Sequence, residues 1–372
     1  MFICSKSTLR EDVCAIDKEI VCVEDHYEAY SARLGLGFDY RFAYSTFVET
    51  YTRRQLSYDS DALNAFSGFT SLLSAYTRIR FYFGLPESHL DSSIVWQPSQ
   101  PLHRRKGPFP SWSWCGWSGA VTTYCWMWDS RHVSQYERKP DWIVWYAWYA
   151  TDGSGEFQPV KGPGILRCID SKPNLATKPT EKVQERFRDR IDVHGLLAFW
   201  SVTARFRLCE FPQSQVDPDM SIYIPRKGGS RLKESSSLTL LGLEDRNGRL
   251  CGAVYMNTDV TVLGQTFEVI AISESTEKLL GRREGHEHED STFRKQDLHE
   301  EGDDTIDERI LTRTNMDGGC EGCCGNGVFK VLVVASNAEG SMKQRLGVGE
   351  VFKQAFKRAY EPGCQWSEVT LG

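Results

Sequence analysis

The sequence predicts an α+β fold: a helical N-terminal part, then a β-rich antiparallel sandwich or partly open barrel, with a short C-terminal helix. Three observations carry this reading. Apolar residues between Tyr40 and Gly84 recur three or four apart, the spacing of one helix face. From Leu196 onward, short runs of β-branched and aromatic residues alternate with turn signals, as in antiparallel β structure. Between the two lies the aromatic mass: of the 11 tryptophans, all but Trp200 and Trp366 fall from Trp96 to Trp148.

The 372 residues have room for two domains. The expected division is residues 1–95, mainly helical, and residues 96–372, β-rich with a disordered charged insertion at about 281–318. A hydrophobic content of 40% with 12% aromatics supports a sizeable core and excludes a globally disordered chain. The net charge of -6 lacks the basic footprint of a nucleic-acid binder. The first residues carry Lys6, Arg10, Glu11, Asp12 and Asp17, so no secretory h-region is present. No run reaches the ~20 apolar residues of a membrane span. The 12 cysteines are scattered and sit beside strand-like hydrophobics, which reads as a reduced, cytoplasmic chain whose thiols act as small buried hydrophobes.

Taken in order, residues 1–30 open on Phe2-Ile-Cys4 with no polar lead-in and read as the end of a larger unit. Phe42, Phe47 and Tyr51 mark a first helix. Ser57 to Asp61 is a polar break whose acids are N-cap candidates. A second helix from Ala62 places Leu63, Phe66, Phe69, Leu72, Leu73 and Tyr76 on one buried stripe, with Gly84-Leu-Pro86 ending it. Next comes Phe109-Pro-Ser-Trp-Ser-Trp-Cys-Gly-Trp-Ser-Gly119, the hub. Trp112 and Trp114 alternate with Ser111, Ser113 and Cys115, which predicts a short strand with both rings on one face. Residues 141–149 read as a strand, and 151–164 and 171–181 as loops. Strands follow at 196–202, 206–209, 237–242, 250–255, 267–272 and 328–334, with Asn247-Gly248 as a hairpin turn. A helix over Val351 to Tyr360 and a closing strand over Trp366 to Leu371 complete the pattern.

Few constellations carry chemistry. Cys320, Cys323 and Cys324, among glycines, include the C-x₂-C spacing of a zinc knuckle, but a structural zinc needs four ligands and no second pair follows. His286 and His288 lie in the charged run, which reads as solvated surface. No phosphate loop, dinucleotide fingerprint, nucleophile elbow or HExxH motif occurs. No catalytic residue and no cofactor is therefore expected.

Three segments resemble the fungal heterokaryon-incompatibility (HET-domain) family, in the region that follows the HET domain. The first is Tyr51-Thr-Arg-Arg-Gln-Leu-Ser-Tyr-Asp-Ser-Asp-Ala-Leu-Asn-Ala-Phe-Ser-Gly68, with Arg54, Tyr58, Asp61 and Gly68 at motif positions. The second joins Gly84 and Pro86, Trp96, and Pro110, Ser111, Trp112, Ser113, Trp114, Gly116 and Gly119. The third runs from Arg345-Leu-Gly-Val-Gly349, with Gly347 and Gly349, to Trp366 and Leu371-Gly372. The family's defining domain, with its WIDxLCIDQ-like core, is absent from the sequence; residues 1–30 resemble at most its last strand and exit. The resemblance implies a non-catalytic regulatory or recognition region acting with protein partners in non-self recognition and programmed cell death. The alternatives from the residues are an aromatic platform for a glycan or nucleotide, and a cysteine-dependent enzyme.

Overall fold

A computed structural model describes residues 2–4, 7–9, 40–123, 143–151, 154–160, 178–190, 194–211, 238, 240–258, 263–275 and 328–372. The expected insertion at 281–318, the cysteines 320–324, His286 and His288 lie outside these residues, as do residues 10–30 of the expected remnant. Its first residues contribute a small pair, Phe2–Cys4 against Ser7–Leu9.

The helical part consists of α1 (Tyr40–Thr52), α2 (Asn64–Thr77) and a single turn, α3 (Leu90–Ser93). A 3₁₀ turn, Asp59–Ala62, precedes α2, and neither it nor α2 has a side-chain N-cap. Asp59 is instead drawn away to Arg105 and the Lys106 amide. Helix α2 ends earlier than Gly84: Arg78 turns left-handed at φ 60 and donates its N–H to the Ser74 carbonyl. The apolar stripe also splits. Phe66 and Leu73 are buried, and Leu63 and Phe69 pack beside them, but Leu72 is 50% exposed and Tyr76 74%. Residues 72 and 76 sit roughly 100° from 73 and 77 around a helix, so a helix docked by one face leaves them outside.

The β-rich part is one nine-stranded sheet. Its strands are β1 (Tyr146–Thr151), β2 (Ser154–Pro159), β3 (Leu197–Glu210), β4 (Leu240–Glu244), β5 (Leu250–Met256), β6 (Thr266–Ser275), β7 (Val328–Ser336), β8 (Lys343–Phe352) and β9 (Tyr360–Leu371). The β1–β2 hairpin occupies part of the expected 151–164 loop, because Phe157 and Val160 are buried and anchor it. Antiparallel pairing runs β3–β4–β5–β8–β7–β6 and returns to β3. Of the two expected architectures this is the barrel, and the ring of six is closed. Closure removes free edges. The first half of β3 extends past the ring, pairing with β9 on one side and β1 on the other.

Strand β3 shows how the sequence builds this. Val202, Ala204, Phe206 and Leu208 alternate into the barrel, whereas Leu197 and Phe199 point to the tryptophan hub. Along β6 and β7 both faces are buried: Val269, Phe329, Val331 and Val333 line the interior, and Ile270, Ile272, Leu332 and Val334 face the hub. Two covered faces explain the unbroken apolar run Val331 to Val334. The expected C-terminal helix is a 3₁₀ turn, Lys353–Arg358, that follows directly on β8. Its Phe356 packs edge-on against Phe206 and Phe329 at 5.4 and 5.1 Å, filling the barrel. A third cluster places α4 (Glu181–Phe187) over Tyr146, Trp148 and Phe157. The expected division at 95/96 falls within a single core, since Val95 and Trp96 both belong to the hub cluster that spans α1, α2 and the sheet. No helix among the described residues is long and apolar enough to cross a membrane.

Candidate functional site

The hub is not a strand. Pro110 to Ser113 forms a turn, Ser113 Oγ accepts the Cys115 N–H at 3.1 Å, and Trp114–Gly116 is a 3₁₀ turn before the two-residue strand Trp117–Ser118. The indole N–H groups explain the departure from alternation. Trp112 Nε1 donates to the Gly195 carbonyl at 2.8 Å, Trp114 Nε1 to the Tyr44 hydroxyl at 3.2 Å, and Trp117 Nε1 to the Ser111 carbonyl at 2.8 Å. Buried indoles usually find such acceptors, and these three lie in different directions, which an extended strand cannot serve. Trp96, Trp112, Trp114 and Trp117 are all buried, so these four rings offer no open face for a sugar or a base.

Three distant segments converge here. From the first, Tyr51 and Phe66 meet the Trp114 ring edge-on at 5.8 and 4.9 Å. From the second, Gly84 (φ +81) lies so close under Trp114 that a Cβ would come to 2.7 Å of the ring, and its carbonyl accepts the Tyr44 hydroxyl. Leu85 and Pro86 follow, buried and paired with Phe81 and Tyr82. From the third, the Gly372 carbonyl accepts both the N–H and the hydroxyl of Ser111, whose Oγ also accepts the Arg345 N–H at 2.9 Å. Gly116 and Gly119 hold the close approaches to Arg104 and to Leu102. Gly347 and Gly349 lie away from the indoles, at the β5–β8 seam of the barrel; a Cβ on Gly349 would come within 2.1 Å of the Ala253 carbonyl.

The remaining motif residues of the first segment stay outside this cluster. Arg54 is half-buried and Tyr58 is 70% exposed. Asp61 is half-buried and sits before α2. Gly68 is exposed in the middle of α2, with ordinary helical backbone and, among the described residues, nothing within 4 Å of a Cβ placed on it. Neither packing nor backbone requires a glycine there, although glycine costs about 1 kcal/mol in a helix interior.

The charges of the site serve the backbone. Arg104 reaches the Gly116 carbonyl at 2.6 Å and also bonds the Phe109 carbonyl, and its burial pulls its pKa down. Arg105 donates to the Trp117 carbonyl and pairs with Asp59 at 2.8 Å. The Lys106 amide and Arg105 together hold the Asp59 carboxyl below its usual range. Arg345 is fully buried, its guanidinium 3.5 Å over the Trp96 ring and bonded to the Ile94 and Trp96 carbonyls. Desolvation drives its pKa well down. The sequence placed Arg345 only by resemblance and missed Arg104, Arg105 and Tyr44; a charged residue in a β or loop pattern reads as solvent-facing.

The site can hold chain segments together; its thiol is not activated. Burial pushes Cys115 up to about 12, and the nearby Ser113 hydroxyl and arginines offset this only in part. Cys209 is likewise pushed up to about 12, first by burial. Among the described residues no three His, Cys, Asp or Glu converge as a metal site. The thiolate is the reactive form, so Cys115 should resist iodoacetamide in the folded protein at pH 7 to 9. It should be alkylated once denatured, as read by peptide mass spectrometry; rapid labelling of the folded state would contradict the burial.

Compared with known proteins, the chain matches no family model, no curated protein and no solved structure.

Proposed function

We propose that this chain is a non-catalytic regulatory or recognition region of the kind that accompanies HET domains, working in the cytoplasm through protein partners in fungal non-self recognition and cell death. One observation carries the reading. The motif residues of the second segment, Tyr51 and Phe66 of the first, and Arg345 and Gly372 of the third meet in one closed cluster. There the indoles, serines and arginines are spent on carbonyls and on each other. Such a cluster fixes the helical part against the barrel and leaves recognition to the outer surface. The motif resemblance supplies the biological setting.

The test is expression of the chain in a filamentous fungus, alone and together with a full-length HET-family protein, with death scored by vital-dye uptake. A change in the death caused by the full-length protein supports a modulator. No change, together with NAD turnover by the purified chain at an enzyme-like rate, would replace this reading with a catalytic one.

A further inference from the structure

Three of the four large hydrophobic side chains exposed among the described residues, Tyr58, Leu72 and Tyr76, lie on or just before α2. The helix, NAFSGFTSLLSAYT, has no charged residue in its 14 positions. Ala65, Gly68, Leu72 and Tyr76 are exposed and recur at i, i+3, i+7 and i+11, one stripe roughly 100° round the helix from the buried Phe66 and Leu73. An uncharged outer face is unusual on a chain of net charge -6, since solvated helix faces ordinarily carry the charge.

We propose that this face of α2 pairs with the same face of a second copy of the chain, antiparallel about a two-fold axis. The large side chains sit in the C-terminal half of the stripe and the small ones in the N-terminal half. A two-fold places residue i against j and j against i, so a register centred on Thr70 sets Leu72 over Gly68 of the other copy and Tyr76 over Asn64 and Ala65. Gly68, which nothing among the described residues requires, becomes the hollow that receives Leu72. Charge agrees with shape. Asp61 flanks the N-terminal end of α2 and Arg78 the C-terminal end; the same register brings Asp61 of each copy beside Arg78 of the other. A parallel arrangement would instead oppose like charges. Charge complementarity of this kind selects orientation, and the bare centre lets two acidic chains approach without local repulsion.

The contact is small. Fourteen residues of helix span about 21 Å, so one face buries well under the roughly 800 Å² per partner of a standard interface, and association appears at high protein concentration. This inference is independent of the regulatory reading: it concerns copies of the chain only.

Sedimentation equilibrium of the full chain, at concentrations up to ~1 mM, tests it. The wild type should show monomer and dimer. Gly68→Lys should remove the dimer while leaving the thermal midpoint equal or higher, because its Cβ meets nothing among the described residues and lysine is the better helix former. Asp61→Arg and Arg78→Asp should each weaken association about tenfold, since both symmetric contacts turn repulsive; the combined variant should restore it. A wild type that stays monomeric throughout, a dimer indifferent to Gly68→Lys, or a double reversal without rescue would each overturn the proposal.

Discussion

Trp114→Ala should lower the unfolding free energy by about 3–5 kcal/mol, the range for truncating a large buried ring. Trp114 is 1% exposed. Its ring packs edge-on against Tyr51 and Phe66, lies against Gly84, and donates to the Tyr44 hydroxyl. The alanine variant therefore loses apolar burial, leaves a cavity where α1, α2 and the Gly84 turn meet, and strips Tyr44 of its donor. Collapse is difficult, because Gly84 is left-handed and its carbonyl is held by Tyr44. Trp114→Phe keeps the ring but loses the N–H, and should cost less than Trp114→Ala. Denaturant titration checks both. A loss under about 1 kcal/mol for Trp114→Ala, the scale of an ordinary surface change, would mean that the helical part is not docked through this ring.

Much of this arrangement was legible in the residues, and what was not has identifiable causes. The tryptophan density and the flanking prolines and glycines marked the hub, and the 3.6-residue and 2-residue periods separated helix from strand. The strand expected over Ser111 to Cys115 failed because alternation of large and small residues records burial, not backbone direction. Three indoles each needing an acceptor in a different direction fold the same pattern into two turns. Leu72 and Tyr76 failed for the converse reason: apolar character does not say which of two adjacent stripes docks. Closure of the barrel depends on β3 pairing with β6, Thr203 against Ile270 through Arg207 against Thr266, a contact between residues too far apart in the chain for local pattern to encode. Nor could spacing show that Asp59 reaches Arg105 rather than capping a helix.

Arg345→Lys, conservative by charge, should be the more damaging of two substitutions at the least expected core residue. Arg345 is 0% exposed, and no carboxylate pairs with it among the described residues. Its charge is tolerated because the planar fork spans the Ile94 and Trp96 carbonyls while its face stacks on Trp96 at 3.5 Å. Its Nε has no hydrogen-bond partner among the described residues. An ammonium keeps the desolvation cost but cannot span both carbonyls in one plane or stack, so Arg345→Lys should cost about 3–5 kcal/mol, the range for a buried charge left uncompensated. Arg345→Met removes the charge and keeps most of the stem. It leaves two neutral carbonyls unpaired, at about 1–3 kcal/mol each, but also releases the cost of burying the cation, and should be the milder change. Denaturant titration of the three proteins decides the point. The order Arg, Met, Lys from most to least stable means that the fork and the stack, not the charge, hold the barrel strand β8 to the hub; lysine above methionine would mean that the charge itself is needed there.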